Sequence, residues 1–289
     1  MMNIEKAELL AKQFFAFQFK TKKVTFSARH GYHESKKTGN RGSFLQFRKF
    51  EPYDSLQAID WRKSAKSDEF IVQDKEWETE HTIWLWRSRS PTMSYHSGLV
   101  QVGKKELAEL VILSLAAIFR NGGERISYLG SKLPAKNGQL GFENFIQAMS
   151  SNKDKGAIPV TKSLSKSSRV ILVSDFINPS TSFEKQARQL AQQGCKGSLI
   201  QILDPAEETF PFQGRIKFES IEGRDSQLLQ RAEEIRIDYM NGLAEHRNYL
   251  NKIAKDIGWE FFNFSTETKA EVILKLVLYR LINQNRLAK

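Results

Sequence analysis

The residues best placed for chemistry lie at the ends of two apolar runs. The first, His81-Thr82-Ile83-Trp84-Leu85-Trp86, opens into Arg87-Ser88-Arg89-Ser90-Pro91-Thr92-Met93-Ser94, a loop dense in hydroxyls. The second, Val170-Ile171-Leu172-Val173, ends at Ser174-Asp175. Short apolar runs of this kind read as buried strands. If the two are strands of one open α/β sheet, their ends form a small polar site at the edge where such sheets bind ligands. The alternative is structural: Ser88, Ser90 and Thr92 satisfy loop backbone groups and cap a turn.

The elements that must position these ends alternate in type. The apolar pattern predicts a buried helix over 103–121, stopped by Asn121-Gly122-Gly123. Strands are expected at 81–86, 125–129, 168–174, 197–203 and 259–264, and further helices at 142–149, 182–194 and 269–281. Phe210 to Ile221 reads as a hairpin turning near Gly214, and 225–257 as one long charged helix. Strands alternating with helices imply a mostly parallel sheet covered on both faces, so the strand ends share one edge. The region before it differs. A helix is expected over 4–15, strands at 44–50 and 69–77, and a turn at Glu51-Pro52-Tyr53-Asp54. Residues 1–80 thus form an N-terminal extension with short strands, and 81–289 an α/β domain.

The chain has 289 residues, 40% of them hydrophobic, enough for a core. Its net charge of +11 is unevenly spread. Between Lys20 and Lys49 nine basic residues face one acid, Glu34, whereas Glu51 to Glu80 holds nine acids and four basic residues. The 20–49 segment could bind nucleic acid, an anionic membrane or an acidic protein, or be a solvated loop partly neutralised by the acidic stretch after it. One cysteine, Cys195, excludes an internal disulfide and a Cys-rich zinc site, and fits a reducing compartment; a buried, inert thiol is expected. There is no secretory pattern, and the longest apolar stretch is too short to span a bilayer, so a soluble, cytoplasmic protein is expected. No Ser/His/Asp constellation, phosphate loop or dinucleotide fingerprint occurs. This argues against an enzyme.

Several blocks carry a resemblance. They are Gly39-Asn40-Arg41-Gly42-Ser43-Phe44, Phe47-Arg48-Lys49-Phe50, Asp54, Ile59-Asp60-Trp61-Arg62-Lys63-Ser64-Ala65 and Glu76-Trp77-Glu78. Leu85-Trp86 with Ser90-Pro91-Thr92-Met93, Val173-Ser174-Asp175-Phe176 and Leu203-Asp204-Pro205-Ala206-Glu207 extend them. Over about residues 30–280 the chain resembles the domain-of-unknown-function-58 (DUF58) family, a branch of the von Willebrand factor type A-like proteins. The resemblance implies a three-layer α/β/α sandwich. It also implies a metal-ion-dependent adhesion site whose first loop reads Asp-x-Ser-x-Ser. Ser88, Ser90 and Thr92 occupy those positions, so the Asp is replaced by Ser88, and Asp175 corresponds to the distant acid. As partner it implies a MoxR-type AAA+ ATPase or that enzyme's client.

Such a site would be degenerate. Mg²⁺ or Mn²⁺ takes hard oxygens and usually one or two carboxylates. Ser90, Thr92 and Asp175 supply oxygens but one formal charge, and an inward Arg87 or Arg89 would repel a cation. No cofactor is firmly expected. In adhesion-type domains the metal bridges to an acid of the partner; the resemblance thus implies Arg87, Ser88 and Arg89 as partner-binding residues, an arginine fork with hydroxyl donors receiving that acid without an ion. Asp60, Trp61 and Arg62 are either structural, with Trp61 buried and the two charges pinning the extension, or an interaction motif. The expected function is a non-catalytic interaction module, an adaptor or co-chaperone of the ATPase. The alternative is nucleic-acid binding through the basic segment.

Overall fold

A computed structural model describes residues 2–21, 44–49, 61–65, 69–76, 82–151, 156–159, 164–166, 168–177, 183–221 and 226–286. The chain divides into two compact units, Met1–Phe26 with His81–Lys289, and Ser27–Glu80. Helix α1 (Met2–Thr21) thus belongs with the larger unit, whereas the sequence placed it in the extension. The reason is its apolar stripe: Ala7, Leu10, Ala11 and Phe14 are buried, at the spacing of one helical face.

In the smaller unit β1 (Phe44–Lys49) pairs antiparallel with β2 (Ile71–Glu76), with Phe44 opposite Glu76. A single helical turn, α2 (Trp61–Ser64), precedes β2, and the Ser64 hydroxyl accepts the Ile71 N–H at 2.8 Å. Trp61 is 61% exposed and touches Phe70 edge-on at 6.0 Å between ring centroids. This corrects the expected burial: the turn faces its indole outward, against a ring that is itself exposed. Arg62 is also exposed. Asp60, the turn at 51–54 and most of the basic 20–49 segment lie outside the described residues.

The larger unit is built on β3 (Thr82–Arg87), α3 (Lys104–Asn121), β4 (Arg125–Tyr128), α4 (Gly138–Ser151), β5 (Arg169–Ser174), α5 (Phe183–Gln192) and β6 (Lys196–Leu203). It continues with α6 (Pro205–Thr209), the hairpin β7 (Ile216–Glu219) and β8 (Ser226–Leu229), α7 (Arg236–Asp256), β9 (Glu260–Ser265) and α8 (Ala270–Arg286). Five strands form one sheet in the order β4-β3-β5-β6-β9, every pairing parallel. Helices flank it in a three-layer α/β/α sandwich, as expected. Every residue of β5 is buried, as in strands covered on both faces. Polar contacts to the neighbouring helix fix α1: Glu8 meets Arg120 at 3.0 Å, and the Asn3 amide donates to Glu109 at 3.3 Å.

Two further expectations needed correction. The hairpin does not turn at Gly214 but pairs 216–219 with 226–229. The expected helix at 225–257 is accordingly shorter, because its first residues form β8 and a 3₁₀ turn, Ala232–Ile235. Pro211 and the left-handed backbone of Phe210 (φ 44°) separate the first apolar residues from the strand after them.

The order β4-β3-β5 places the sheet's topological switch between β3 and β5. After β3 the chain goes to one side, and after β4 it crosses to the other. Ligands of open sheets bind at the carboxyl ends of the two strands flanking such a switch. Those ends are the loops beginning at Ser88 and Asp175.

Close packing at β6 supplies a test. A Cβ on Gly197 would lie 2.4 Å from the buried Trp259 ring. That ring is pinned by its N–H donating to the Cys195 carbonyl at 2.9 Å. Gly197→Ala is expected to cost at least about 1–3 kcal/mol through overpacking, seen as a lower melting temperature by circular dichroism. An unchanged melt would mean the indole can swing aside. Burial pushes the Cys195 thiol up to about 11, so the native protein should not react with Ellman's reagent at pH 8 and should react once unfolded.

Candidate functional site

The first loop is built by its hydroxyls. The Ser88 N–H donates to the Val173 carbonyl at 2.8 Å, extending the β3–β5 ladder by one bond. The buried Ser88 hydroxyl accepts the Ser90 N–H at 3.0 Å. Ser90 caps the 3₁₀ turn Pro91–Ser94, its hydroxyl accepting the Thr92 N–H at 3.3 Å and sharing a 2.7 Å bond with the Thr92 hydroxyl. Gly156 closes over this loop with φ +98°, and a Cβ there would stand 2.9 Å from Ser90 Cβ. Only glycine combines that conformation with that approach.

The second loop meets the first. The Asp175 N–H donates to Met93 Sδ at 3.2 Å, and the Asp175 carbonyl accepts from the Gln201 amide at 2.9 Å. The strand ends that sequence reasoning placed at one edge are therefore together. The hydroxyls of Ser90 and Thr92, however, bond to each other, and the Asp175 carboxylate has other partners. Its Oδ2 lies 3.2 Å from the ammonium of Lys104, and its Oδ1 accepts from the Ser174 hydroxyl at 3.4 Å.

Lys104 is the residue that sequence reasoning missed. It is the first residue of α3, after the N-cap Gly103, and is 0% exposed. Its Nζ also donates to Glu207 Oε1 at 2.6 Å and lies 5.5 Å from the centroid of the Tyr95 ring. Glu207 stands in the first turn of α6, where its other oxygen accepts the Asp204 N–H at 2.8 Å. Asp204 in turn accepts from Ala206 N–H at 2.9 Å and from Ser97 N–H at 3.0 Å. This is a capping box, which holds Glu207 in place independently of Lys104. A cation at a helix N-terminus is ordinarily unfavourable. Here the carboxylates of Asp175 and Glu207 offset the effect.

The carboxyl groups respond accordingly. Burial raises Glu207 above its ordinary range, while the Lys104 charge and hydrogen bond pull it back. Asp204 ends below its ordinary value: burial raises it, but hydrogen bonds from Ser97 and Ala206 outweigh that.

Both arginines of the first loop are engaged within the chain. Arg87 is buried and pairs with Glu109 at 2.9 Å, and its backbone carbonyl accepts from the Tyr128 hydroxyl. Arg89 donates to the carbonyls of Met149 and Ser150 at 2.8 and 3.2 Å, tying the loop to the end of α4. Beside them lies a cleft of about 410 Å³ lined by Arg87, Ser88, Arg89, Ser90, Lys105 and Glu109, among others. Lys105 is its exposed cation.

These donors do not fit the divalent ion that the family resemblance implies. Ser90 and Thr92 satisfy each other, position 88 brings no carboxylate, and Asp175 already faces an ammonium. Among the described residues no group of three His, Cys, Asp or Glu side chains could hold a metal ion.

Removing the ammonium tests its role. Lys104→Met leaves two buried carboxylates facing one another without a cation and should cost about 3–5 kcal/mol at neutral pH. Much of that loss should return on acidification. An acid whose folded pKa is raised binds its proton more tightly folded than unfolded, so its ionisation withdraws stability as pH rises above the ordinary carboxylate range. Urea melts at pH 7 and pH 5 check this. An equal loss at both would contradict the charge pairing.

The profile of the family described as "Protein of unknown function DUF58" matches residues 46–249. No curated protein matches the chain. Among solved structures, the chain is similar to the conserved hypothetical protein BatB from Bacteroides thetaiotaomicron, at 16% identity and a TM-score of 0.42, covering 69% of this chain and 97% of that one. A second is an uncharacterised membrane spanning protein from Vibrio fischeri, at 14% identity and a TM-score of 0.19, covering 71% of this chain and 98% of that one. No described helix of this chain is long and apolar enough to cross a membrane.

Proposed function

We propose that this chain, which belongs to the DUF58 family, is a non-catalytic interaction module with a von Willebrand A-like core, acting as an adaptor or co-chaperone of a MoxR-type AAA+ ATPase. The observation that carries this reading is the Lys104 ammonium between Asp175 and Glu207. The Asp175 carboxylate is already paired with an ammonium of the chain itself, so it has no need of an exchangeable ion. In adhesion-type domains a metal bridges to an acidic side chain of the partner. In this chain the cleft at the first loop takes over that role directly, with Lys105 meeting the acid. Arg87 and Arg89 act differently from a solvent-facing fork: they brace the loop against Glu109 and α4 and add positive potential to the cleft. The ATPase as partner rests on the family resemblance.

The test is co-purification of a tagged chain with the MoxR-type ATPase of the same cell. Charge reversal at the exposed cation, Lys105→Glu, should weaken capture by about tenfold and leave the melting temperature unchanged, since exposed charges contribute little to stability. Arg89→Ala should weaken it further by loosening the loop. Capture that is indifferent to both changes would remove the cleft from the interface.

A further inference from the structure

A second cavity lies against α6, and the proposed function makes no use of it. It has a volume of about 280 Å³ and is lined by the rings of Tyr95, Phe210, Phe212, Phe218 and Tyr239, with Glu207 at its floor. We infer that this aromatic cup is a binding site for an organic cation, and that its ligand is the guanidinium of an arginine side chain presented by a partner polypeptide.

The cup is built rather than accidental. Phe210 holds the left-handed backbone at the end of α6, where its N–H donates to the Ala206 carbonyl. From there its ring packs 4.7 Å from Tyr239 and 5.9 Å from Phe218, measured between centroids. Phe212 stands edge-on to Phe218 at 5.3 Å. The Tyr239 hydroxyl donates to the Glu207 carbonyl at 2.8 Å, which locks that ring against the floor. Phe212, Phe218, Tyr95 and Tyr239 remain only half-buried. Aromatic faces and edges are thus held open to a ligand.

Charge selects which ligand. The charges acting on the cup's tyrosines are the carboxylates of Asp204, Glu207 and Glu208, against the cations of Lys104 and Arg247. The balance is negative. Both tyrosines feel it: their hydroxyls are raised by burial and then by carboxylates, Asp204 and Glu207 acting on Tyr95, with Glu207 prominent in taking Tyr239 to about 12. The Tyr95 ring already lies near one cation, Lys104. Ring quadrupoles attract cations, most strongly where water is excluded. A guanidinium is the best match, being planar, weakly hydrated and able to stack on flat rings. The floor oxygens of Glu207 are taken by Lys104 and the Asp204 N–H, so the cup attracts by potential and π-faces rather than by a free carboxylate.

The experiment titrates the full-length ¹⁵N-labelled protein with N-acetyl-arginine amide, then with its uncharged isostere N-acetyl-citrulline amide and with N-acetyl-norleucine amide. The expected result is saturable shifts at Tyr239, Phe212 and Gln227 with arginine, and affinities roughly tenfold or more lower for citrulline and norleucine. Phe218→Leu keeps an apolar wall and removes a π-face, so it should weaken arginine several-fold and leave norleucine unaffected. Citrulline or norleucine binding as well as arginine would overturn the proposal in favour of a plain apolar pocket. So would the absence of any arginine-dependent shift. Because the ligand is a small probe, a failed capture of the ATPase does not bear on this outcome, and the converse also holds.

Discussion

One ammonium group ties together segments far apart in the chain. Lys104 pairs with Asp175, 71 residues on, and with Glu207, 103 residues on. Its position is costly in isolation. A fully buried lysine loses its hydration, and the start of a helix repels its charge. The two carboxylates are equally costly without it. Each group is tolerable because the other two are present, so the α3 N-terminus, the β5 end and α6 must assemble together or not at all. Pairs of this kind add little net stability over an apolar replacement but penalise any arrangement that separates the charges.

The rest of the edge depends on that constraint. Asp175 is held by Met93 and Gln201, and its carboxylate is paired with Lys104. That loop then satisfies its hydroxyls internally, and Gly156 closes over it. Its two arginines are drawn into the structure, one to Glu109 and one to the end of α4. Glu207 in turn anchors Tyr239 through its carbonyl, which fixes one wall of the aromatic cup. Glu207 of the ion triad also lines the cup, and Met93, which receives the Asp175 N–H, lines the cleft.

Much of this scaffold was legible in the sequence. The strands end near the predicted positions because continuous apolar runs bounded by polar loops admit few alternatives. The meeting of the Ser88 and Asp175 loops is a consequence of parallel topology. What was not legible depended on partners distant in the chain. Lys104 reads as a helix start, yet it lies in register with Leu107, Ala108, Val111 and Leu115, all buried. A lysine on that stripe was the available signal. Asp204-Pro205-Ala206-Glu207 is likewise a capping-box spacing, which predicts a short helix after β6 although not the ammonium that Glu207 receives. The hairpin was misplaced because Phe210 and Phe212 alternate like a strand while packing as a cluster. Trp61 was expected inside because large rings usually are, but a single helical turn provides too little cover.

The central claim is that Asp175 is committed to the chain's own lysine rather than to a divalent ion. Titration of the intact protein with Mn²⁺, monitored by calorimetry and by the paramagnetic resonance of free Mn²⁺, tests it most directly. The account predicts no saturable binding that depends on Asp175, so that wild type and Asp175→Asn give the same free-ion signal. Tight binding by the wild type that disappears in Asp175→Asn would contradict it.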